Sequence, residues 1–283
     1  MMTGDDAVLK IINAECGYRG RNGTRIVLEG VSMDIDHGMV MCVLGRNGAG
    51  KTTLFRTVLG VNPVLGGRIE LDGRNIAEIS RSEIAKRIAY VPQSHNPPFP
   101  FSVREIVEMG RTAHMKLYST PSKTDREKSE RAMEMMGIET LADRPYTEIS
   151  GGERQLVLIA RALAQESDYL IMDEPSANLD YGNQVRVMEL VLSLAEAGKG
   201  IMLTTHYPDQ VFMAGSMCTV IKSGSEFITG RTEEILTEKT LKDIYGIDTK
   251  ILRVELPDGR SVMTAAAFMD KRKKTVLYGE FVE

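Results

Sequence analysis

The sequence predicts an α/β protein with a mainly parallel core sheet, an N-terminal antiparallel β subdomain and an inserted α-helical subdomain. Residues 39–44 are apolar at every position, which is typical of a strand covered on both faces. Strand-like residues 169–172 and 201–204 each follow a helical segment, an alternation typical of parallel strands joined by right-handed crossovers. Residues 94–164 carry helical patterns and no evident strand, which indicates a helical insertion.

The first third of the chain contains the patterns of an antiparallel region. Val31, Met33 and Ile35 alternate with polar residues up to a turn at residues 36–38, as in a strand with one buried face. Further strand patterns occupy residues 9–14, 68–71 and 88–91. A helical pattern over residues 52–59 follows the apolar strand.

The inserted region begins after a proline-rich loop at residues 96–100. Ser102 is followed three residues later by Glu105, the spacing of a capping box that starts a helix. Charged helical patterns continue from there to Gly137.

The residue pattern near the end of the chain predicts a small β hairpin. Leu252, Val254 and Leu256 alternate with charged residues and lead into a turn at residues 257–259. The basic run at residues 271–274 is expected to be solvated surface. The predicted organisation is a main domain at residues 8–245, containing the helical subdomain at 94–164, and a C-terminal β extension at 246–283.

Composition excludes several classes of protein. The chain has 283 residues, 42% of them hydrophobic, which is enough to form a core. Its 35 basic and 39 acidic side chains give a net charge of −4, so no nucleic-acid partner is expected. Cys16, Cys42 and Cys218 show no paired spacing, which is typical of reduced, buried thiols.

The apolar runs are too short for a membrane span, which requires about 18 residues. The N-terminus is acidic where an export signal would be basic. We therefore expect any membrane role to come through a partner.

Residues 45–52 match the phosphate-binding loop pattern between a buried strand and a helix. Glycines let the backbone N–H groups turn toward phosphates, and the helix N-terminus adds partial positive charge. Lys51 would supply a charge for the β- and γ-phosphates, and the Thr52 hydroxyl can bind Mg²⁺. The pattern consists of Gly45, Arg46, Asn47, Gly48, Ala49, Gly50, Lys51 and Thr52.

Two carboxylates end the apolar strand at residues 169–172. In a phosphate-loop enzyme, Asp173 would complete the Mg²⁺ site. Glu174 lies one residue farther, where it can orient or deprotonate an attacking water. A strand that ends in Asp-Glu is a weak signal alone. The phosphate-loop pattern upstream favours a functional role for the two carboxylates over a solvated strand end.

Residues 149–155 contain a second capping box, Ser150 with Glu153. An ordinary helix start explains that pair, but not the adjacent Gly151 and Gly152, which weaken a first turn and leave the helix end bare. The segment resembles the signature sequence of ATP-binding cassette (ABC) ATPases, with Ile149 for the consensus Leu and Glu153 for the consensus Gln. The resemblance covers nearly the whole chain.

The resemblance implies a role for each remaining motif. Tyr18 would stack on adenine, although a half-buried tyrosine at a strand end is the alternative. Gln93 would link Mg²⁺ and water to a membrane partner, residues 178–180 would cross a dimer interface, and His206 would contact the γ-phosphate. The expected ATP-binding set is Tyr18, Gly45, Arg46, Asn47, Gly48, Ala49, Gly50, Lys51, Thr52, Thr53, Ser150, Gly151 and Gly152. The expected catalytic set is Glu174, His206 and Gln93, with Thr52, Gln93 and Asp173 at Mg²⁺.

Residues 100–107, 110–114 and 179–184 resemble the ATPase subunits of iron-siderophore, haem and cobalamin importers. That likeness implies a head-to-tail pair of two copies, docked on permease subunits at the cytoplasmic face of the cell membrane. An extracytoplasmic binding protein would deliver the cargo. The alternative is a soluble ABC ATPase, such as an accessory of iron–sulfur assembly, because it would form the same nucleotide sandwich.

Overall fold

A computed structural model of the chain describes residues 9–20, 23–93, 99–116, 119–177 and 179–268. The strands in these ranges are β1 (Leu9–Gly20), β2 (Gly23–Ile35), β3 (Val40–Gly45), β4 (Val64–Leu71), β5 (Arg74–Asn75), β6 (Ile88–Val91), β7 (Tyr169–Asp173), β8 (Gly200–Thr205), β9 (Met217–Ile221), β10 (Phe227–Arg231), β11 (Thr249–Glu255) and β12 (Ser261–Ala267). The α-helices are α1 (Lys51–Val58), α2 (Arg81–Arg87), α3 (Val103–Glu108), α4 (Lys123–Met136), α5 (Gly151–Ala164), α6 (Tyr181–Glu196), α7 (Pro208–Ala214), α8 (Thr232–Ile235) and α9 (Glu238–Tyr245). None of these helices is long and apolar enough to span a bilayer.

The central sheet has the spatial order β10-β9-β3-β8-β7-β6. Its strands from β9 to β6 pair in parallel, and β10 joins the edge antiparallel to β9. Every residue of β3, β7 and β8 is buried, as expected for strands with both faces covered. The predicted mainly parallel core is therefore confirmed.

A second sheet, with the order β2-β1-β4-β5, is antiparallel throughout. It confirms the predicted N-terminal antiparallel region. The two sheets share one hydrophobic core, which contains Met41 and Val43 from one face of β3. Val40, Cys42 and Leu44 point to the opposite core, which also contains residues of α3 to α6. The alternation along β3 thus joins the two cores through one strand.

The inserted region contains α3, α4 and α5 and no strand among its described residues, apart from one isolated bridge between Ser102 and Pro145. The capping box predicted at Ser102 is formed. The helical stretches predicted up to Gly137 are α3, which ends at Glu108, a 3-10 turn over Met109–His114, and α4. The proline-rich residues 96–98 lie outside the described part of the chain.

The phosphate-loop helix begins one residue before its predicted start at Thr52. Gly50 precedes it at φ 104°, a left-handed conformation open mainly to glycine, and this lets the helix start at Lys51. Strand β3 is shifted in the other direction: the sequence predicts it at residues 39–44, and it runs from Val40 to Gly45, one residue later at each end.

At the C-terminal end, β11 and β12 form an antiparallel hairpin in which Val254 pairs with Val262. The carboxylate of Asp209, in α7, accepts hydrogen bonds from the Thr264 hydroxyl and the Ala265 N–H. These bonds attach the hairpin to the helix that follows His206. The basic run at residues 271–274 lies outside the described residues.

The three cysteines are free and buried, as predicted. Burial raises the pKa of Cys16 to about 11 and that of Cys218 to about 12, and it also raises the pKa of Cys42.

Candidate functional site

The phosphate-loop residues connect the carboxyl end of β3 to the N-terminus of α1. Gly48 and Gly50 both have left-handed backbone angles, φ 80° and 104°. At Gly50 a Cβ atom would also lie 2.9 Å from the Cγ of Leu28. Glycine is therefore required there for conformation and for space, and the tight turn brings backbone N–H groups to the helix end that favours anions.

Lys51 is almost completely buried, with 6% of its surface exposed. Its ammonium group donates to the carbonyl of Gly45 at 2.7 Å and lies 3.7 Å from a carboxylate oxygen of Glu174. The fold thus holds the charge of Lys51 between the loop backbone and Glu174.

Asp173 is buried at the end of β7, between two hydroxyl groups. Its carboxylate accepts from Thr52 Oγ1 at 2.8 Å and from Thr204 Oγ1 at 2.7 Å. A hydroxyl and a carboxylate together are donor groups that suit Mg²⁺, which binds few protein oxygens and completes its shell with waters and substrate phosphates. The described residues contain no cluster of three or more His, Cys, Asp or Glu side chains able to hold a metal.

The carboxylate of Glu174 is the point on which three other predicted residues converge. Gln93 Nε2 donates to Glu174 Oε2 at 2.9 Å, and His206 Nδ1 lies 3.5 Å from the same oxygen. Lys51 approaches the other oxygen. Glu174 itself has φ 49°, an unfavourable conformation for a side-chain-bearing residue that is typical of functional sites. Its carboxylate, 11% exposed, can hold and orient a polar group such as water.

Tyr18 lies near the end of β1, with its hydroxyl 2.8 Å from Thr53 Oγ1 in α1. That contact fixes the ring beside the phosphate loop, and 39% of the residue remains exposed. A ring held by its edge and open on its face can stack on a planar base.

These side chains share one cleft of about 680 Å³. It is lined by Tyr18, Arg46, Asn47, Gly48, Ala49, Gly50, Lys51, Thr52, Thr53, Gln93, Asp173, Glu174 and His206. Gly45 does not line the cleft but supplies the carbonyl that holds Lys51. A larger cavity of about 870 Å³, between α6, α7 and the hairpin, contains none of the predicted site residues.

Ser150, Gly151 and Gly152 do not line this cleft. Ser150 caps α5, its hydroxyl accepting from the Glu153 N–H while the Glu153 carboxylate accepts from the Ser150 N–H, so the predicted capping box is formed. Hydrogen bonds to the Glu153 carboxylate from the side chain and the backbone N–H of Ser150 lower the pKa of Glu153. Outside the adjacent residues and the backbone of α5 itself, no atom of the described residues lies within 4 Å of the position that a Cβ on Gly151 would occupy, so this helix end is bare. Within one chain, the structure does not bring the Ser150–Gly152 segment to the phosphate loop at residues 45–52.

Sequence reasoning missed the residues that support the site. Thr204 is the in-register neighbour of Asp173 across β7 and β8. Besides donating to Asp173, its hydroxyl accepts from the Glu174 N–H at 2.9 Å. The carbonyl of His206 accepts from the Tyr245 hydroxyl at 2.9 Å. The apolar run of β8 could have suggested Thr204, because a polar side chain inside a buried strand needs a partner.

The predicted interface loop at residues 178–180 is described in part. Asn178 lies outside the described residues. Asp180 caps the next helix, α6, by accepting from the Asn183 N–H.

Comparison with known proteins adds three findings. Residues 28–177 match the family model described as ABC transporter. The chain is 39% identical, over 88% of its length and 93% of the other, to an uncharacterized ABC transporter ATP-binding protein of Haemophilus influenzae. It is 36% identical, over 83% of its length and 80% of the other, to the hemin import ATP-binding protein HmuV of Rhodococcus jostii. Among solved structures, an inward-facing metal-chelate type ABC transporter aligns with a TM-score of 0.79 at 29% identity, covering 93% of this chain and 98% of that one.

Proposed function

The chain belongs to the ABC transporter family of ATP-binding subunits, and from that membership we propose that it hydrolyses ATP to energise import of a metal chelate. The resemblance drawn from residues 149–155 is thereby confirmed, and it assigns the chain to a family of ATPases. The convergence of Gln93, Lys51 and His206 on Glu174 carries the proposal, because it provides a fixed carboxylate beside the phosphate loop.

In this proposal the nucleotide lies along the cleft, with its base on Tyr18 and its phosphates in residues 45–52. Thr52, Asp173 and Gln93 would hold Mg²⁺. When bound, the ion would supply positive charge that offsets the negative charge of the phosphates during transfer. Lys51, released from the Gly45 carbonyl, adds a second cation at the same phosphates.

Glu174 orients a water and accepts its proton as the water attacks the γ-phosphorus, whose bond to the departing ADP breaks. Gln93 and His206 fix the direction of this carboxylate, since both contact the same oxygen, Oε2. His206 would also contact the γ-phosphate. Thr204 holds the strained backbone of Glu174 in place.

A second copy of the chain completes the site. The cleft of one chain lacks the Ser150–Gly152 helix end, which is exposed elsewhere on the same chain. Two copies arranged head to tail would set this bare helix end, with its free N–H groups, against the γ-phosphate of the partner. Each closed pair would hold two ATP molecules.

The importer assignment draws its support from the hemin import relative and from the aligned metal-chelate type transporter. We propose an iron-siderophore, haem or cobalamin-type chelate as cargo. The chain would dock at the cytoplasmic face of the membrane on a permease near Gln93 and the helical subdomain. An extracytoplasmic binding protein would act on the other side.

Co-purification from detergent-solubilised membranes tests this assignment. A tagged chain should retain a membrane protein with many spans. Proteoliposomes that contain this complex, with ATP on the side of the tagged chain and the binding protein on the other side, should take up one of ferric hydroxamate, hemin or cobalamin. The same complex with Glu174→Gln serves as the transport-dead control. Recovery of the chain with soluble partners alone would favour the iron–sulfur accessory ATPase instead.

A further inference from the structure

The last carbonyl groups of helix α5 meet one short segment, the 3-10 turn after α3. We call Gly110, Arg111 and His114 of this turn the α5 socket. Arg111 Nη1 donates to the carbonyl of Ala164 at 2.7 Å, and His114 Nε2 lies 2.8 Å from the carbonyl oxygen of Gln165. A helix leaves its last carbonyls without internal partners, so the socket supplies two of the missing donors.

Gly110 makes the approach possible. A Cβ atom on this residue would lie 2.1 Å from the carbonyl oxygen of Arg161, one turn earlier in α5. That distance is well inside van der Waals contact, so any larger residue would push the helix away. The backbone of the turn is therefore in direct contact with the helix.

Arg111 is the anchor of the socket, with only 4% of its surface exposed. Its Nε donates to Asp125 in α4 at 3.0 Å, and Nη1 also reaches Glu166 just beyond α5, at 3.1 Å. The Ser122 hydroxyl and this guanidinium lower the pKa of Asp125 to about 2, so Asp125 is ionised at neutral pH. A buried guanidinium is stable only when paired in this way, and its position at a helix C-terminus matches the helix dipole. One side chain thus connects α3, α4 and α5.

The opposite end of α5 carries the Ser150–Gly152 motif. The helix has 14 residues, so it is about 21 Å long. For a straight helix of this length, a tilt of about 3° at the socket would displace the far end by about 1 Å. Misplacing a reacting group by about 1 Å can cost on the order of 10²-fold in rate.

We propose that the α5 socket is a positioning device for hydrolysis, which aims the Ser150–Gly152 helix end at the nucleotide held by the second copy. Gly110, Arg111 and His114 are positioning residues, because they touch the helix and not the nucleotide. The proposal rests on the head-to-tail pairing proposed above. It gives residues 110–114 a function that concerns the partner's site and not the chain's own cleft.

Arg111→Lys tests this role, since lysine keeps the charge but cannot reach all three acceptors at once. We expect ATP affinity of the single chain to stay within about 2-fold, and ATP turnover at saturation to fall on the order of 10-fold or more. Arg104→Lys is the matched control, because Arg104 lies in α3 and pairs with Glu130 and Asp143 instead of α5. It should leave turnover unchanged.

Heterodimers purified through two different tags separate positioning from general damage. In a heterodimer of an Arg111→Lys chain and a Lys51→Ala chain, the Arg111→Lys chain supplies an intact phosphate loop. This loop faces the α5 of the Lys51→Ala chain, which is also intact. Such a pair has one complete site, as does the reference pair of wild type with Lys51→Ala. The two heterodimers should therefore hydrolyse ATP at equal rates, although the Arg111→Lys homodimer is slow.

A slow mixed pair would overturn the proposal, because Arg111 would then act within its own chain. Wild-type turnover in the Arg111→Lys homodimer would overturn it too. If Arg111→Lys does not fold, His114→Ala removes a single exposed contact and should show the same pattern with a smaller loss. Absence of hydrolysis by the wild type and by its reference pair would instead contradict the proposed function.

Discussion

The phosphate-loop cleft and the exposed end of α5 are organised in opposite ways. In the cleft, side chains at the ends of β6, β7 and β8 and in α1 hold one another: Thr52 and Thr204 bond Asp173, while Gln93 and His206 face Glu174. At the α5 end, Ser150 and Glu153 satisfy each other, and no side chain covers Gly151. One region is assembled by the fold of a single chain. The other is capped by its own residues and is exposed, as expected of a surface that acts on a second molecule.

The largest expected effect is in the self-assembled region. Glu174→Gln keeps the shape of the side chain but cannot accept a proton, so hydrolysis should fall by about 10²- to 10⁴-fold. Mg-ATP affinity should be kept, because Thr52 and Asp173 remain. Fluorescent-nucleotide titration and phosphate release measure the two quantities, and size-exclusion chromatography should detect a dimer trapped by uncleaved ATP.

Asp173→Asn is the companion variant and should instead weaken Mg²⁺-dependent binding. Near-wild-type turnover by Glu174→Gln, with deamidation excluded by mass spectrometry, would remove Glu174 from the chemistry.

Ser150→Arg tests the other region. It adds bulk and charge at the bare helix end, so hydrolysis should fall by about 10²-fold, the scale of one lost anion-stabilising donor. Nucleotide binding by the single chain should not change.

Pairing Ser150→Arg with Lys51→Ala makes the comparison sharper. An intact loop then faces an intact α5 in one of the two sites, so the pair should match wild type paired with Lys51→Ala. No activity in this mixed pair, with a working reference, would mean that both motifs act within one chain.

Tyr18→Ala should weaken ATP binding by about 10- to 100-fold, given that base stacking contributes about 1–3 kcal/mol. Tyr18→Phe keeps the ring and loses only the contact with Thr53, so its effect should be a few-fold at most. GTP should also bind, because stacking is tolerant of base identity. Equal ATP affinity for wild type and Tyr18→Ala, by isothermal titration, would show that the base lies elsewhere.

Thr204→Val should have the smallest effect, about 10-fold on turnover, the scale of a hydrogen bond to a charged group. Valine has a similar shape but neither donates to Asp173 nor accepts from the Glu174 N–H. Thr204→Ser retains the hydroxyl and should restore most of the rate. If serine and valine behave alike, the hydroxyl does not position the two carboxylates.

Local patterns were enough to predict the elements that bear the site. Capping boxes at Ser102 and Ser150 and the buried strand before the phosphate loop depend on neighbours in sequence, and the structure contains them. The double role of Thr204 depends on register between β7 and β8, which joins residues about 30 positions apart. The close packing of the 3-10 turn at Gly110 likewise depends on its contact with α5, some 50 residues later. Such contacts are set by tertiary packing, and a single sequence does not reveal them.

The burial of all three thiols has a practical consequence for measuring the motions of this protein with site-specific labels. Cys16, Cys42 and Cys218 are inaccessible, and their raised pKa values keep them protonated at neutral pH. Maleimide and methanethiosulfonate reagents should therefore not label the native chain. A single cysteine introduced on the surface, for example in place of Met135, can then carry a spin label or dye without removal of any natural thiol. Pulsed dipolar spectroscopy between two such labels would follow the approach of the copies as ATP is bound and cleaved.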